Sequence, residues 1–443
     1  MNNNIENNVN EIKKAVPVDS RPESQTEQDA LMNIQFSHAK ETRKLDIITT
    51  VILCAFVFGL SILMFIMPDV SFSEQENRYL QQAPKFTIER LVSGEFTAEI
   101  SEYFADQFPL RDFFVGLKGG AEIAQGKGEN NNVTLGKDGY IITRDDYPSK
   151  DILKKNADGI IAFADAMEKI GDPYVVAFAG RPADVLFPYL PSSYPHERVS
   201  DSWNYFVKLL KANDYITFVD LKTPIAEQIS RNYMNDEDTG ENQLLYRTDH
   251  HWTSFGAYVG YREIVTAMGV EPKEFDFFNP ELVSDEFYGT TWSSAGMKWI
   301  QPDEMYYLRY EGDDTDYVTT IVDTNTSFNG FYDRSYLDKK DKYASFISGN
   351  NALVKIEKVN NVEEGRQKIL LVKDSYAHSL APLLAVHFDL VIVDLRYYKE
   401  STINLYVEEN CDQALVMSYL GSVCEANVFE MFKLGLKSFL AKN

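Results

Sequence analysis

The chain of 443 residues is poor in cysteine and histidine, with 3 and 6 copies. Three thiols cannot build a disulfide framework or a cysteine-rich zinc module. It is also short of cations: Lys and Arg total 43 against 67 Asp and Glu, a net charge of −24. Phosphate recognition needs clustered positive charge, so this balance makes the chain a poor partner for DNA, RNA and anionic lipid. No internal repeat is present, and biased composition is confined to the first 44 residues. What the chain does have is 44% hydrophobic and 13% aromatic residues, which excludes wholesale disorder. Its length fits an anchor plus one large domain, or two smaller ones.

One long apolar run breaks the pattern. Residues 1–44 are polar and Asn/Gln/Glu-rich and read as a disordered cytoplasmic tail. Ile47 to Met67 then gives 21 uncharged residues, enough to span about 30 Å as a helix. A membrane anchor over 45–67 follows, closed by Pro68. Lys40, Arg43 and Lys44 precede it, while Asp69, Glu74 and Glu76 follow. That asymmetry predicts a single-pass protein at the cell membrane, with the N-terminus cytoplasmic and the rest extracellular. The alternatives, a buried core helix or a cleaved signal peptide, fit less well. A core helix rarely runs this long uncharged, and Phe65-Ile-Met-Pro68 offers no small-residue cleavage site. Residues 1–46 hold 6 basic and 8 acidic side chains, so nearly all the acidity lies beyond the span.

Residues 68–130 read as a stalk and helical entry region, and 131–443 as the extracellular domain. From residue 140 onward, short Val/Ile/Leu runs alternate with helical stretches. Strands are expected at 140–142, 174–179, 216–220, 369–372, 390–393 and 414–417. Helices are expected at 150–169, 199–212, 253–268, 376–386 and 427–434. This predicts an α/β fold with a parallel sheet flanked by helices, whose sites lie beyond the carboxyl ends of the strands. Residues 270–365, rich in Tyr, Asp, Thr and Asn, interrupt the rhythm as a β-rich insertion. Cys411 and Cys424 flank one strand, too far apart to bridge.

Four stretches can carry chemistry. Asp249-His250-His251-Trp252 stands just before a helix. Helix capping would explain Thr253 or Asp249 alone, but not two histidines and a tryptophan together. Lys373-Asp374-Ser375 stands between an apolar strand and a helix, so the serine sits at the sheet's carboxyl edge beside helix N–H groups. Its bland reading is an N-cap. Its chemical reading needs a histidine held by a carboxylate, which His251 and Asp249 supply. Arg181 and Arg396 each follow a strand, where a guanidinium stabilises developing negative charge or simply pairs with an acid. Tyr376, next to the serine, is grouped with them as a substrate or oxyanion contact. His378 is one turn beyond Ser375, and His196 and His387 have no evident company. A metal site would need further ligands, and no His-x-His or His-Glu-x-x-His pattern supplies them. Metal binding by Asp249-His250-His251 stays a minor alternative, and no cofactor is expected.

Asp249-His-His-Trp252 together with Asp374-Ser375 resembles the DHHW family of bacterial surface proteins. It is also similar to the Asp-x-His-Trp motif of the alginate O-acetyltransferase group, whose catalytic domain is SGNH-hydrolase-like. Gly136-Lys-Asp-Gly-Tyr140, Val175 to Pro191 and Asp106-Gln-Phe-Pro-Leu-Arg111 fit the same linear order. The resemblance covers most of residues 70–400. It implies Ser375 as nucleophile, His251 as general base and Asp249 as its orienter, with His250 at the motif's variable position. It implies that Arg396 lies near the site. Lys373 departs from the usual Gly-Asp-Ser, and no oxyanion asparagine is evident in the sequence. The expected function is a membrane-anchored SGNH-like O-acyltransferase or esterase acting on cell-surface polysaccharide, fed by a membrane acyltransferase as acyl donor. The rival expectation is a non-catalytic surface protein that binds or assembles polysaccharide on the same fold. The separation of Ser375 from His251 discriminates between them: within about 4 Å, with Asp249 behind the ring, favours the enzyme.

Overall fold

The structure, a computed structural model, describes residues 23–73, 78–144 and 148–442. They fall into two compact units, one within residues 1–70 and 81–111, the other within 71–80 and 112–443.

The first unit begins with helix α1, Glu23–Ile66. Its Arg43–Ile66 portion is long and apolar enough to cross a membrane, with mean hydropathy 2.6. The helix starts well before the expected anchor. Residues 23–44 are helical rather than disordered, because they contain no Gly or Pro and are filled with Glu, Gln, Ala, Leu, Met and Lys. Extending an existing helix also avoids the cost of nucleation. The rest of the expected tail, residues 1–22, lies outside the described residues. Two short helices, Ile88–Val92 and Glu95–Asp106, complete this unit.

The second unit is built on one eight-stranded sheet. Its strands are β1 Tyr174–Ala179, β2 Thr217–Asp220, β3 Tyr317–Ile321, β4 Thr326–Asn329, β5 Leu353–Lys358, β6 Gln367–Lys373, β7 Phe388–Val393 and β8 Gln413–Tyr419. Their order across the sheet is β4-β3-β5-β7-β6-β8-β1-β2. The five from β7 to β2 run parallel, as the strand–helix alternation requires. The insertion does not stand apart from this sheet. It extends the edge with β5, β3 and β4, all antiparallel, and adds a separate ribbon of Asn279–Phe287 with Asp303–Arg309.

Side chains of the parallel strands alternate between two cores. Val175, Ala177, Ile369, Leu371, Leu390 and Leu415 enter one. Tyr174, Val176, Leu370, Val372, Val391 and Val416 enter the other. Both faces are dry, which is why these strands read as unbroken apolar runs. Helices α2 Lys150–Ile170 and α3 His196–Leu210 cover the second face. Helices α4 Lys222–Asn235 and α5 Ser254–Ala267 cover the first. The helix expected over 376–386 is instead a 3-10 turn, Ser375–His378, followed by a separate helical turn, Ala381–Leu384. Pro382 lacks the N–H that a continuous helix would need there. A small sheet of Glu129–Asn130, Val133–Leu135 and Ile141–Thr143 draws the end of the expected entry region into this unit.

Candidate active site

β6 ends at Lys373, and Ser375 begins the next turn. Asp374 fixes that turn. Its Oδ1 accepts from the Tyr376 N–H at 2.9 Å. Its Oδ2 accepts from Ser418 Oγ at 2.5 Å, the Tyr419 N–H at 3.0 Å and Ser422 Oγ at 2.7 Å. One carboxylate thereby ties the ends of β6 and β8 together and presents the serine above them.

The Asp-His-His-Trp segment arrives from a tight loop. Leu245 bridges Trp252, and the Tyr246 N–H donates to the His251 carbonyl at 3.2 Å. Buried Asp303 pins the loop's base, accepting from the Arg247 and Thr248 N–H groups at 2.9 and 2.8 Å and from Thr248 Oγ1 at 2.6 Å. Thr253 caps α5 by accepting from the Gly256 N–H. Trp252 is fully buried. A Cβ on Gly260 would lie 2.9 Å from its ring, so the glycine leaves room for the indole.

The two segments meet in one hydrogen-bonded line. His251 Nε2 lies 2.7 Å from Ser375 Oγ. His251 Nδ1 faces Asp249 Oδ1 in a short contact. The other carboxylate oxygen accepts from the Thr290 N–H at 2.7 Å and its hydroxyl at 2.9 Å. Asp249 and His251 are buried, and Ser375 is partly open to a cleft of about 470 Å³. Burial alone would raise the Asp249 carboxyl. The facing imidazoles of His251 and His250, with the donors from His251 and Thr290, outweigh it and hold the group well below the usual carboxylate range. The ring of Tyr343 stacks on His251 at 4.2 Å and 19°. Partly buried His250 contacts Thr290 Oγ1 at 2.9 Å, and its imidazole is pushed down to about 4 by desolvation and then by His251. Ligand atoms of Asp249, His250 and His251 lie within 4.8 Å of one another. Both nitrogens of His251 are already engaged, by Asp249 and Ser375, so the trio suits proton transfer better than metal ligation.

A buried charge cluster stands beside the serine. Lys373 Nζ contacts His378 Nε2 at 2.8 Å and Asp394 Oδ2 at 3.3 Å. Arg396 donates to Asp394 through Nε at 2.9 Å and a terminal nitrogen at 2.6 Å, and to Asn350 Oδ1 at 3.0 Å. Burial pushes the Lys373 amine down, with Asp394 opposing. Arg396, Asn350 and His378 all line the cleft.

Of the sequence-predicted residues, Ser375, His251, Asp249 and Arg396 converge on this cleft. Two do not serve as expected. Arg181 is buried against Asp184, with Nε 2.9 Å from Oδ2, and the cleft wall there is formed by Pro182. Burial favours the intimate ion pair over exposure to a ligand. Tyr376 is also buried. Its hydroxyl donates to the His250 carbonyl, its own carbonyl accepts from Trp252 Nε1 at 2.8 Å, and its ring stacks on Tyr419 at 4.5 Å. It braces the two loops and does not face a substrate. Sequence reasoning missed Thr290, Tyr343 and Asn350, all from the insertion. Their only signal was small or polar residues in loops, as in Gly289-Thr290 and Ser348-Gly-Asn350. His387, without company in the sequence, bonds Tyr261 at 2.7 Å. The side chain of His196 lies outside the described residues.

Residues 221–394 match the family described as DHHW protein, and residues 133–287 the family described as SGNH hydrolase-like domain, acetyltransferase AlgX. A probable alginate O-acetylase AlgJ of Pseudomonas putida is 21% identical over 183 residues, 40% of this chain and 44% of that protein. Its counterpart in Pseudomonas syringae pv. tomato is 23% identical over 196 residues, 42% and 47% of the two. The chain thus spans less than half the length of these curated relatives. A solved DHHW family protein from Eubacterium siraeum gives a TM-score of 0.55 at 20% identity, covering 69% of this chain and 96% of that one. Bacillus cereus PatB1 with a sulfonyl adduct gives 0.54 at 19% identity, covering 68% and 97%. These structural likenesses carry the fold, and the matched segments contain both Asp249-His-His-Trp252 and Asp374-Ser375. The chain is thus similar to DHHW proteins over residues 221–394 and to the SGNH-hydrolase-like acetyltransferase domain over residues 133–287, and it shares the fold of the solved DHHW family protein.

Proposed function

We propose that the protein is an O-acyltransferase of cell-surface polysaccharide, most simply an O-acetyltransferase, working through Ser375, His251 and Asp249. The observation that carries this reading is the 2.7 Å contact between His251 Nε2 and Ser375 Oγ at the floor of an open cleft, with Asp249 on the far side of the ring. A lone N-capping serine has no use for that imidazole. The names of the relatives, alginate O-acetylases, point to the same class of reaction.

His251 Nε2 takes the Ser375 proton as Oγ attacks the acyl carbonyl of the donor. The donor's leaving group collects that proton as it departs, and the acyl group stays on Ser375 as an ester. A sugar hydroxyl then attacks the ester, passing its proton to His251, and Ser375 Oγ recovers it on release. Asp249 holds the ring in the tautomer with a proton on Nδ1 and stabilises the imidazolium. Arg396, and the amide of Asn350 whose oxygen is already taken by Arg396, supply donors to the oxyanion. Tyr343 shields His251 from water on one face. Residues 43–66 anchor the chain, the cleft is extracellular, and the acyl donor is passed on by a membrane acyltransferase.

The test uses the full chain with a chromogenic acetyl ester, with and without an added oligosaccharide, and a sulfonyl fluoride label mapped by mass spectrometry. Ser375→Ala is expected to abolish both turnover and labelling. Acyl transfer to the oligosaccharide identifies a transferase, and release to water alone an esterase. Turnover in Ser375→Ala equal to that of the parent overturns the assignment.

A further inference from the structure

The first short helix of the first unit carries an apolar surface that water does not explain. In Ile88–Val92, residues Ile88 and Val92 are 74% and 82% exposed, and Leu91 is exposed with them. The spacing i, i+3, i+4 puts the three on one helical face. Phe86 and Leu110 are also exposed, at 61% and 60%. Large apolar side chains exposed together on one face of a helix mark a contact surface.

Hydrogen bonds fix where that surface lies. Tyr103, in the helix Glu95–Asp106, donates to Asp69 Oδ1 at 2.9 Å. Gln107 Oε1 accepts from the Val70 N–H at 2.9 Å, and Asp106 Oδ2 accepts from the Gln81 N–H at 2.8 Å. The helix pair is therefore fastened to residues 69–70, directly after α1 ends at Ile66. Four residues reach at most about 14 Å, so the attachment is held beside the exit of the span. Arg90, on the same short helix, is bonded to Glu99 at 2.5 Å and Glu95 at 3.3 Å.

We propose that Ile88, Leu91 and Val92, with Phe86 and Leu110, rest on the outer lipid surface next to the anchor. This inference rests on the anchor reading above. Apolar burial drives the docking, so it needs no anionic headgroups and is insensitive to salt.

The full chain is placed in phosphatidylcholine nanodiscs, with Ile88→Trp and Val92→Trp as separate reporters. The native tryptophans, at 203, 252, 292 and 299, all lie outside this stretch, so the parent gives the baseline. In both variants the added emission is expected to be blue-shifted and lost when the lipid is brominated near its carbonyls, equally at low and high salt. In the Ile88→Trp chain, adding Leu91→Asp and Val92→Asp is expected to remove that loss. Incorporation into nanodiscs with no quenching beyond the parent overturns the docking while leaving the anchor intact. A chain that does not incorporate at all sinks the anchor, and the docking with it.

Discussion

The indole N–H of Trp252 donates to the backbone carbonyl of Tyr376 at 2.8 Å, joining the loop that holds His251 to the turn that holds Ser375. The tyrosine returns the link by donating its hydroxyl to the carbonyl of His250. The motif's tryptophan thus fastens the loop of Asp249 and His251 to the turn of Ser375. Trp252→Phe keeps the ring but leaves the buried Tyr376 carbonyl without this donor. It is expected to cost about 1–3 kcal/mol in urea denaturation. Turnover should fall more than ester binding, because His251 and Ser375 lose their common reference.

Gly289 lies against Asp249: a Cβ there would sit 2.2 Å from the carboxylate's Cβ and Oδ2. Gly289→Ala must push Asp249 out of line with His251. Displacements on the order of 1 Å in such a site cost about a hundredfold in rate. The expected outcome is a loss of that order in kcat, with the fold retained by circular dichroism. Parental activity in this variant would show that Asp249 does not hold the ring.

Asp394 is completely buried and is shared by Lys373 and Arg396. Asp394→Asn leaves two cations, one of them fully buried, without their counter-charge. Breaking a buried pair in this way is expected to cost about 3–5 kcal/mol, read as a lower denaturation midpoint. Paired with Lys373→Met, which removes the buried cation as well, the loss should be partly recovered.

Two imidazoles set a pH dependence. His387 is pushed down from 6.5 to about 4, by burial first and then by Lys273. His250 is pushed down to about 4 by burial and then His251. Each binds fewer protons folded than unfolded. The stability they give is complete above pH 6.5 and is lost as pH falls toward about 4. Urea midpoints are expected to drop across that window. His387→Gln, which keeps a partner for Tyr261, should make the drop shallower; an unchanged slope would exclude His387 as a source.

Much of this was legible in the residues. The apolar runs at 174–179 and 390–393 read as strands of a doubly covered sheet, because they are short, mostly aliphatic and set between helical stretches. Ser375 at a strand end and Asp249-His-His-Trp252 before a helix were chemically unusual enough to single out. Arg181 and Tyr376 were misjudged for a common reason. Both sit at strand ends where an exposed group would reach the cleft, yet Asp184 and the Trp252 loop claim their polar atoms first. Such competition depends on neighbours brought in by the tertiary fold.

By itself, then, the sequence determined most of the local periodicities: the strands of the sheet, most of its covering helices, and where a long uncharged helix runs. Those follow from the spacing of side chains along the backbone, over a few residues at a time. Only the tertiary structure decided that an imidazole and a hydroxyl 124 residues apart would stand 2.7 Å from each other. It also brought Thr290, Tyr343 and Asn350 of the insertion around them. Contacts of that range are settled when the sheet closes and its two faces are buried, and no local pattern records them.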